Sequence, residues 1–197
     1  MDSSDMRPVI DSEYGPIHRF KDCKRTLSES FDDEYFHNIQ WAHFTGGGAG
    51  GWMRWPNRHP HVLTHGMRRS QRALANVVGL IDWTCFRRRN LNTELAVSDE
   101  RIACFGCGDG AQALIWLLRT DTRLRSGQMV MPAPAFRVDL NVPGLEDGGY
   151  RVARIDTSSG KVVATAETSA AHRMLVISDV PITADLALVV RRIDAVG

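Results

Sequence analysis

The run Gly106-Cys107-Gly108-Asp109-Gly110-Ala111 sets glycines at alternate positions directly after a short apolar stretch at 102–105. Glycines spaced this way permit positive φ and remove the Cβ atoms that hold a ligand away from the backbone, and a helix that follows offers unpaired N–H groups. Strand, glycine turn and helix in succession make a cradle for a nucleotide-type cofactor, with Gly106, Cys107, Gly108, Asp109 and Gly110 as the binding residues. The plainer reading is a tight turn with Asp109 as a helix N-cap. Asp179 ends a second apolar stretch at 174–177. In an open α/β sheet the carboxyl ends of two strands share one crevice, so Asp179 is the candidate catalytic acid there, with an Asx turn as the plain alternative.

A second constellation is basic. Residues 40–93 carry 8 Lys/Arg against 1 Asp/Glu, between an acidic segment 1–39 (5 against 9) and a balanced one 94–197 (11 against 13), so the charge is concentrated where a polyanion would bind. Arg68, Arg69 and Arg72 fall on one face of an amphipathic helix predicted over 67–81, and Arg87, Arg88 and Arg89 follow it. Trp41, Trp52, Trp55 and Trp83 lie in the same block. Stacking faces and guanidinium forks suit single-stranded RNA, while buried tryptophans beside a solvated arginine face are the structural alternative. Cys104 and Cys107 form a C-x-x-C near His59, His61 and His65, but a strand residue and a turn residue point differently and no second cysteine pair exists, so no metal site is expected.

The elements that must position these groups follow from the apolar pattern. The stretches 102–105 and 174–177 read as buried parallel strands, 111–119 and 185–193 as helices, and 152–155 with 162–166 as a hairpin about Ser158-Ser159-Gly160. The proline-punctuated stretch 121–149 reads as a long irregular loop. The alternation predicts a parallel α/β sheet. Three segments are expected: 1–45, an acidic and partly disordered appendage; 46–66, a glycine-rich and basic linker; and 67–197, the α/β domain. No apolar run approaches the roughly 18 residues of a membrane span, which excludes a transmembrane helix. The polar, acidic start lacks a secretory pattern, which predicts an intracellular protein with reduced cysteines.

The stretch IACFGCGDGA is similar to the first motif of class I methyltransferases that use S-adenosylmethionine. Cys107 to Ala111, followed by Leu117-Leu118-Arg119, resembles the CGDGSG…LLR signature of the cap-methyltransferase domain in the large polymerase protein of nonsegmented negative-strand RNA viruses. Val176-Ile177-Ser178-Asp179 resembles that family's strand ending in the catalytic aspartate, and the likeness covers about residues 65–193. The resemblance implies a Rossmann-like class I methyltransferase sheet truncated at its C-terminus, S-adenosylmethionine as cofactor and capped RNA as substrate. Viral polymerase or phosphoprotein components as partners, and residence in the host cytoplasm or virion, follow from the same likeness. Of the family's Lys-Asp-Lys-Glu tetrad only Asp179 carries over; 67–81 holds no lysine, and the chain ends before the second lysine and glutamate would occur. The reading is therefore a divergent or partial RNA cap methyltransferase. Its competitors are a noncatalytic RNA-binding or assembly module with a degenerate methyltransferase fold, and another Rossmann-like nucleotide binder.

Overall fold

A computed structural model of the chain describes residues 13–14, 29–48, 53–54, 63–122 and 134–193. The elements are β1 (Glu13–Tyr14), α1 (Glu29–Thr45), β2 (Met53–Arg54), α2 (His65–Val78), β3 (Arg89–Asn90), β4 (Ala96–Val97), β5 (Ile102–Gly108), β6 (Gln112–Arg119), β7 (Phe136–Pro143), β8 (Gly148–Asp156), β9 (Lys161–Ala171), β10 (Met174–Ile182) and β11 (Asp185–Arg192). β1 and β2 form a separate two-stranded parallel pair. The other nine strands form one sheet in the order β3-β5-β6-β11-β8-β9-β10-β7-β4, and each of its pairings is antiparallel.

This overturns the predicted parallel Rossmann-like sheet. The stretch 111–119 is not a helix but β6, paired along its length with β5 from Ile102↔Arg119 to Gly108↔Ala113. The stretch 185–193 is β11, paired with β6 on one side and β8 on the other. The supposed loop 121–149 contains β7, whose Val138, Leu140 and Val142 alternate into the core. Two expected elements are present: α2, which overlaps the helix predicted over 67–81 but is displaced toward the N-terminus, and the hairpin of β8 and β9 about Ser158-Ser159-Gly160.

The sheet curls until its ends approach, β4 lying against β5. Its concave face encloses the main core, to which β6 contributes Ala113, Ile115 and Leu117, β7 contributes Val138, Leu140 and Val142, and β11 contributes Leu186, Leu188 and Val190. The convex face of β5, β6, β8 and β11 packs a second core against the helices, where Leu114, Trp116, Ile155, Ala187 and Val189 meet Trp41 of α1 and Val77 of α2. Both faces of β6 and β11 are therefore covered. That is why their sequences, QALIWLLR and DLALVVRR, run apolar without the alternation of a half-buried strand. Among the described residues no helix is long and apolar enough to cross a membrane.

α1 begins with Glu29 and Asp32, carboxylates that complement the partial positive charge of a helix start. It ends where Gly46 N–H donates to the Ala42 carbonyl and Gly47 adopts φ +93°, a left-handed turn that glycine enters without a Cβ clash. α2 is capped by Thr64, whose hydroxyl accepts from the Met67 N–H at 3.1 Å. Thr64 in turn donates to Asp33 of α1, so a single carboxylate locks the two helices at the start of α2.

Candidate functional site

The glycine run is a hairpin, not a cofactor cradle of the strand–turn–helix kind. Asp109 closes it: its Oδ1 accepts the N–H groups of Ala111 and Gln112, each at 2.8 Å, and its Oδ2 accepts that of Arg87 at 3.0 Å. The glycines serve packing. A Cβ on Gly106 would lie 2.7 Å from Leu95 Cδ1, one on Gly108 3.0 Å from Leu91 Cδ1, and one on Gly110 3.0 Å from Glu146 Oε1. An Asp-Gly pair between apolar runs is itself a hairpin signal, and it is the local clue to this geometry. Cys107 is fully buried beneath the helices.

Asp179 sits at φ +60° in a bulge where the β10–β7 register shifts between Ile177 and Val180. Its N–H donates to Asp139 Oδ1 at 2.9 Å and its exposed carboxylate pairs with Arg137. Four strands lie between β5 and β10 in the sheet order, so the glycine turn and Asp179 are not the carboxyl ends of neighbouring parallel strands. Asp179 therefore stands in a strand bulge with an exposed ion pair, and its carboxylate does not end a buried parallel strand.

The arginines are dispersed. Arg68, Arg69 and Arg72 lie on the exposed face of α2 and Arg87 is exposed near the β5–β6 turn. Arg88 donates to the Gly48 carbonyl at 2.8 Å and stacks over Trp83, 5.5 Å from the ring centroid, while Arg89 pairs with Glu94. Trp41 is wholly buried between α1 and the sheet, so its face is core rather than a stacking platform. Trp52, Trp55, His59 and His61 lie outside the described residues. No cluster of metal-ligating side chains occurs among the described residues.

Burial pushes the Cys104 thiol up to about 11 and that of Cys107 up to about 12, so both are protonated near neutrality and poorly nucleophilic. Cys85 is exposed. Brief alkylation of the folded protein with iodoacetamide should therefore label Cys85 and spare Cys107 until denaturant is added. Peptide mass mapping checks this, and equal labelling of both in the native state would contradict the fold.

The polar constellation that the tertiary structure assembles is a different one. His37, on the face of α1 shared by Asp33 and Trp41, meets Asp185 at the start of β11, with Nε2 and Oδ2 3.0 Å apart. The same carboxylate oxygen accepts the Trp116 indole N–H at 2.8 Å. Burial pushes the Asp185 carboxyl up, but the hydrogen bonds from His37 and Trp116 and the charge of His37 outweigh it and hold it below the usual carboxylate range. The other ring nitrogen of His37, Nδ1, lies 3.3 Å from Ser70 Oγ of α2. Of these groups His37 and Ser70 line an open cleft of about 200 Å³ between α1, α2 and the β8–β9 turn, whose other walls are Asp33, Glu34, Gly66, Arg69 and Ser158.

The order Ser70, His37, Asp185 is that of a proton relay, but its setting is not that of a nucleophile. Ser70 is only 5% exposed and lies inside α2, where the neighbouring backbone N–H groups are spent on the helix and cannot stabilise an oxyanion. What the network does is fix the imidazole plane and tie α1 to the sheet and to α2. Sequence reasoning missed His37, Ser70 and Asp185 because 33 residues separate His37 from Ser70 and 148 separate it from Asp185.

No protein-family model and no curated protein matches the chain. Among the solved structures that resemble it are glycoside hydrolases. They include a GH30 endoxylanase from Clostridium papyrosolvens C71 (10% identity, TM-score 0.47, 95% of this chain and 42% of that one) and a glucosidase from Croceicoccus marinus (10%, 0.46, 95% and 46%). A third is the glycoside hydrolase family 30 subfamily 8 xylanase Xyn30A from Clostridium acetobutylicum (9%, 0.44, 95% and 43%). The chain thus spans less than half the length of each. The antiparallel sheet, with a strand where the glycine turn would need its helix, overturns the viral cap-methyltransferase resemblance. With it fall the capping function, the degenerate-fold alternative and the Rossmann-like nucleotide binder, all of which require that parallel sheet.

Proposed function

We propose that the chain is a recognition module, built on the curled sheet, that takes a small polyhydroxylated ligand of the sugar type in the cleft between α1, α2 and the β8–β9 turn. The observation that carries this is the mixed donor and acceptor set around a fixed histidine: His37 held between Asp185 and Ser70, with Arg69, Ser158, Asp33 and Glu34 as walls. Carboxylates only accept, guanidinium only donates, and serine hydroxyls do both. Vicinal hydroxyl groups present a donor and an acceptor at each carbon and can satisfy such a set, whereas a simple anion would face two carboxylates and a simple cation would face Arg69. At about 200 Å³ the cleft is smaller than the roughly 300–1,000 Å³ of sites for drug-sized ligands, so one ring rather than a polymer fits.

The test is an NMR titration of the His37 imidazole resonances with xylose, glucose and inositol. Saturable shifts with millimolar affinity, lost in Arg69→Ala while the protein stays folded, are the expected result. No saturable shift with any of the three would overturn the reading.

A further inference from the structure

We infer that the C-terminal end of α2, with the loop that follows it, docks on the surface of an anionic lipid bilayer. The face of α2 turned away from the sheet runs through Arg72, Ala75 and Val78, all exposed, while Met67, Ser70, Ala73 and Val77 are buried. The chain then folds back, and the Trp83 indole N–H donates to the Val78 carbonyl at 2.8 Å. Val78 and Trp83 stay 41% and 37% exposed, with Leu80 half-buried in the same turn. Two bonds pin this turn to the sheet: Asp82 N–H donates to Gln112 Oε1 at 3.0 Å, and Gln112 Nε2 donates to the Asp82 carbonyl at 3.1 Å. Phe44 and Phe86 pack beside Trp83, each with its ring centroid 6.0 Å away. The apolar tip is thus held at the surface.

Charge names the occupant. Arg88 lies over the Trp83 ring, Arg191 Nη1 donates to the Leu80 carbonyl at 3.4 Å, and Arg72 stands on the exposed stripe itself. None of the three has a carboxylate partner among the described residues, whereas Arg89, Arg101, Arg119, Arg137, Arg151 and Arg192 each pair with one. Residues 63–90 hold six arginines and a single acid, Asp82, whose Oδ1 accepts the Thr84 N–H at 3.1 Å. Exposed apolar side chains among uncompensated guanidinium groups match a headgroup layer: phosphates take the forks and the acyl boundary takes Val78 and Trp83. A nucleic acid would answer the charge alone, since it has no acyl layer for Val78 and Arg88 already lies over the Trp83 ring. The patch is separate from the cleft, which takes Gly66, Arg69 and Ser70 from the first half of α2.

Co-sedimentation of the full chain with lipid vesicles is the test. The chain should pellet with vesicles of mixed phosphatidylserine and phosphatidylcholine, stay in solution with phosphatidylcholine alone, and be released by high salt. Arg72→Glu should weaken binding about tenfold or more, because it exchanges attraction for repulsion at the surface. Val78→Gln leaves the charge intact and should still weaken binding several-fold. Arg137→Glu, an equal change of charge on β7, should bind as the wild type does. Circular dichroism of each variant confirms the fold. A wild-type chain that fails to pellet with the mixed vesicles, or an Arg137→Glu variant as weak as Arg72→Glu, would overturn the proposal. So would unchanged binding of Val78→Gln, which would mean that charge alone is read and that the ligand is a polyanion.

Discussion

Gly160→Ala should lower stability by about 3 kcal/mol or more, for two independent reasons. Gly160 ends the β8–β9 turn at φ +69°, a left-handed conformation that costs other residues about 1–2 kcal/mol. Its N–H donates to the Asp156 carbonyl at 2.7 Å, which holds it in that conformation. The second reason is contact: a Cβ there would lie 2.1 Å from the Ala73 carbonyl oxygen and 2.8 Å from its carbonyl carbon and Cα. Those atoms are the backbone of α2 and cannot rotate away as a side chain could. The turn would have to lift off the helix, breaking the bond from Asn76 Nδ2 to the Ser159 carbonyl and displacing Ser158 from the cleft wall. For a domain of this size the loss corresponds to a fall in Tm of about 6–12 °C. Gly79→Ala is the control. Gly79 has φ −68° and its Cβ would meet nothing nearer than Asn76 O at 3.8 Å, so that change should be neutral or stabilise by up to about 1 kcal/mol. Equal effects of the two substitutions would show that the turn does not abut α2 as described.

Asp185→Ala is expected to cost about 3–5 kcal/mol, because it strips one acceptor from two groups that reach it across a largely buried junction, His37 and Trp116. Asp185→Asn should cost less, since an amide oxygen still receives the indole N–H. The comparison also carries a pH signature. The folded-state pKa of Asp185 lies below the unfolded value of about 3.9, so the unfolded chain binds the proton more readily between the two. The contribution of Asp185 is complete above that unfolded value and fades as pH falls through the folded one. Urea unfolding of wild type and Asp185→Ala should therefore give a difference that shrinks as pH falls below about 4. A difference that grew in acid would contradict the assigned hydrogen bonds.

The same junction shows how far local sequence reaches. α2 is legible from the apolar period that runs through Met67, Leu74 and Val77, whereas α1 is not, since the acidic composition of 1–45 reads as an appendage and hides the face that bears Asp33, His37 and Trp41. The β8–β9 hairpin is legible because Ser158-Ser159-Gly160 interrupts two apolar strands. β6 and β11 are not legible in this way. Strands covered on both faces lose the alternation that marks a strand, and Ala-Leu-Ile-Trp-Leu-Leu satisfies a buried helix as well as a doubly buried strand. A helix over 111–119 makes the Asp-Gly turn before it a cofactor cradle, and the likeness to a methyltransferase motif depends on that cradle. Pairing of β6 with β5 reverses each of those steps.

Local punctuation is written in the residues themselves: where glycines turn the chain, which helix is amphipathic, which stretches are apolar enough to be buried, and the concentration of positive charge in 40–93. Three features emerge only when distant segments pack. Neighbouring strands of the large sheet run antiparallel, Asp179 stands in a bulge beside Arg137, and His37 joins Ser70 of α2 to Asp185 of β11. The difference is one of range. Turn and helix signals act over a few residues through φ, caps and side-chain spacing, whereas strand partners and the polar groups they bring together are selected by which faces exclude water across the whole chain.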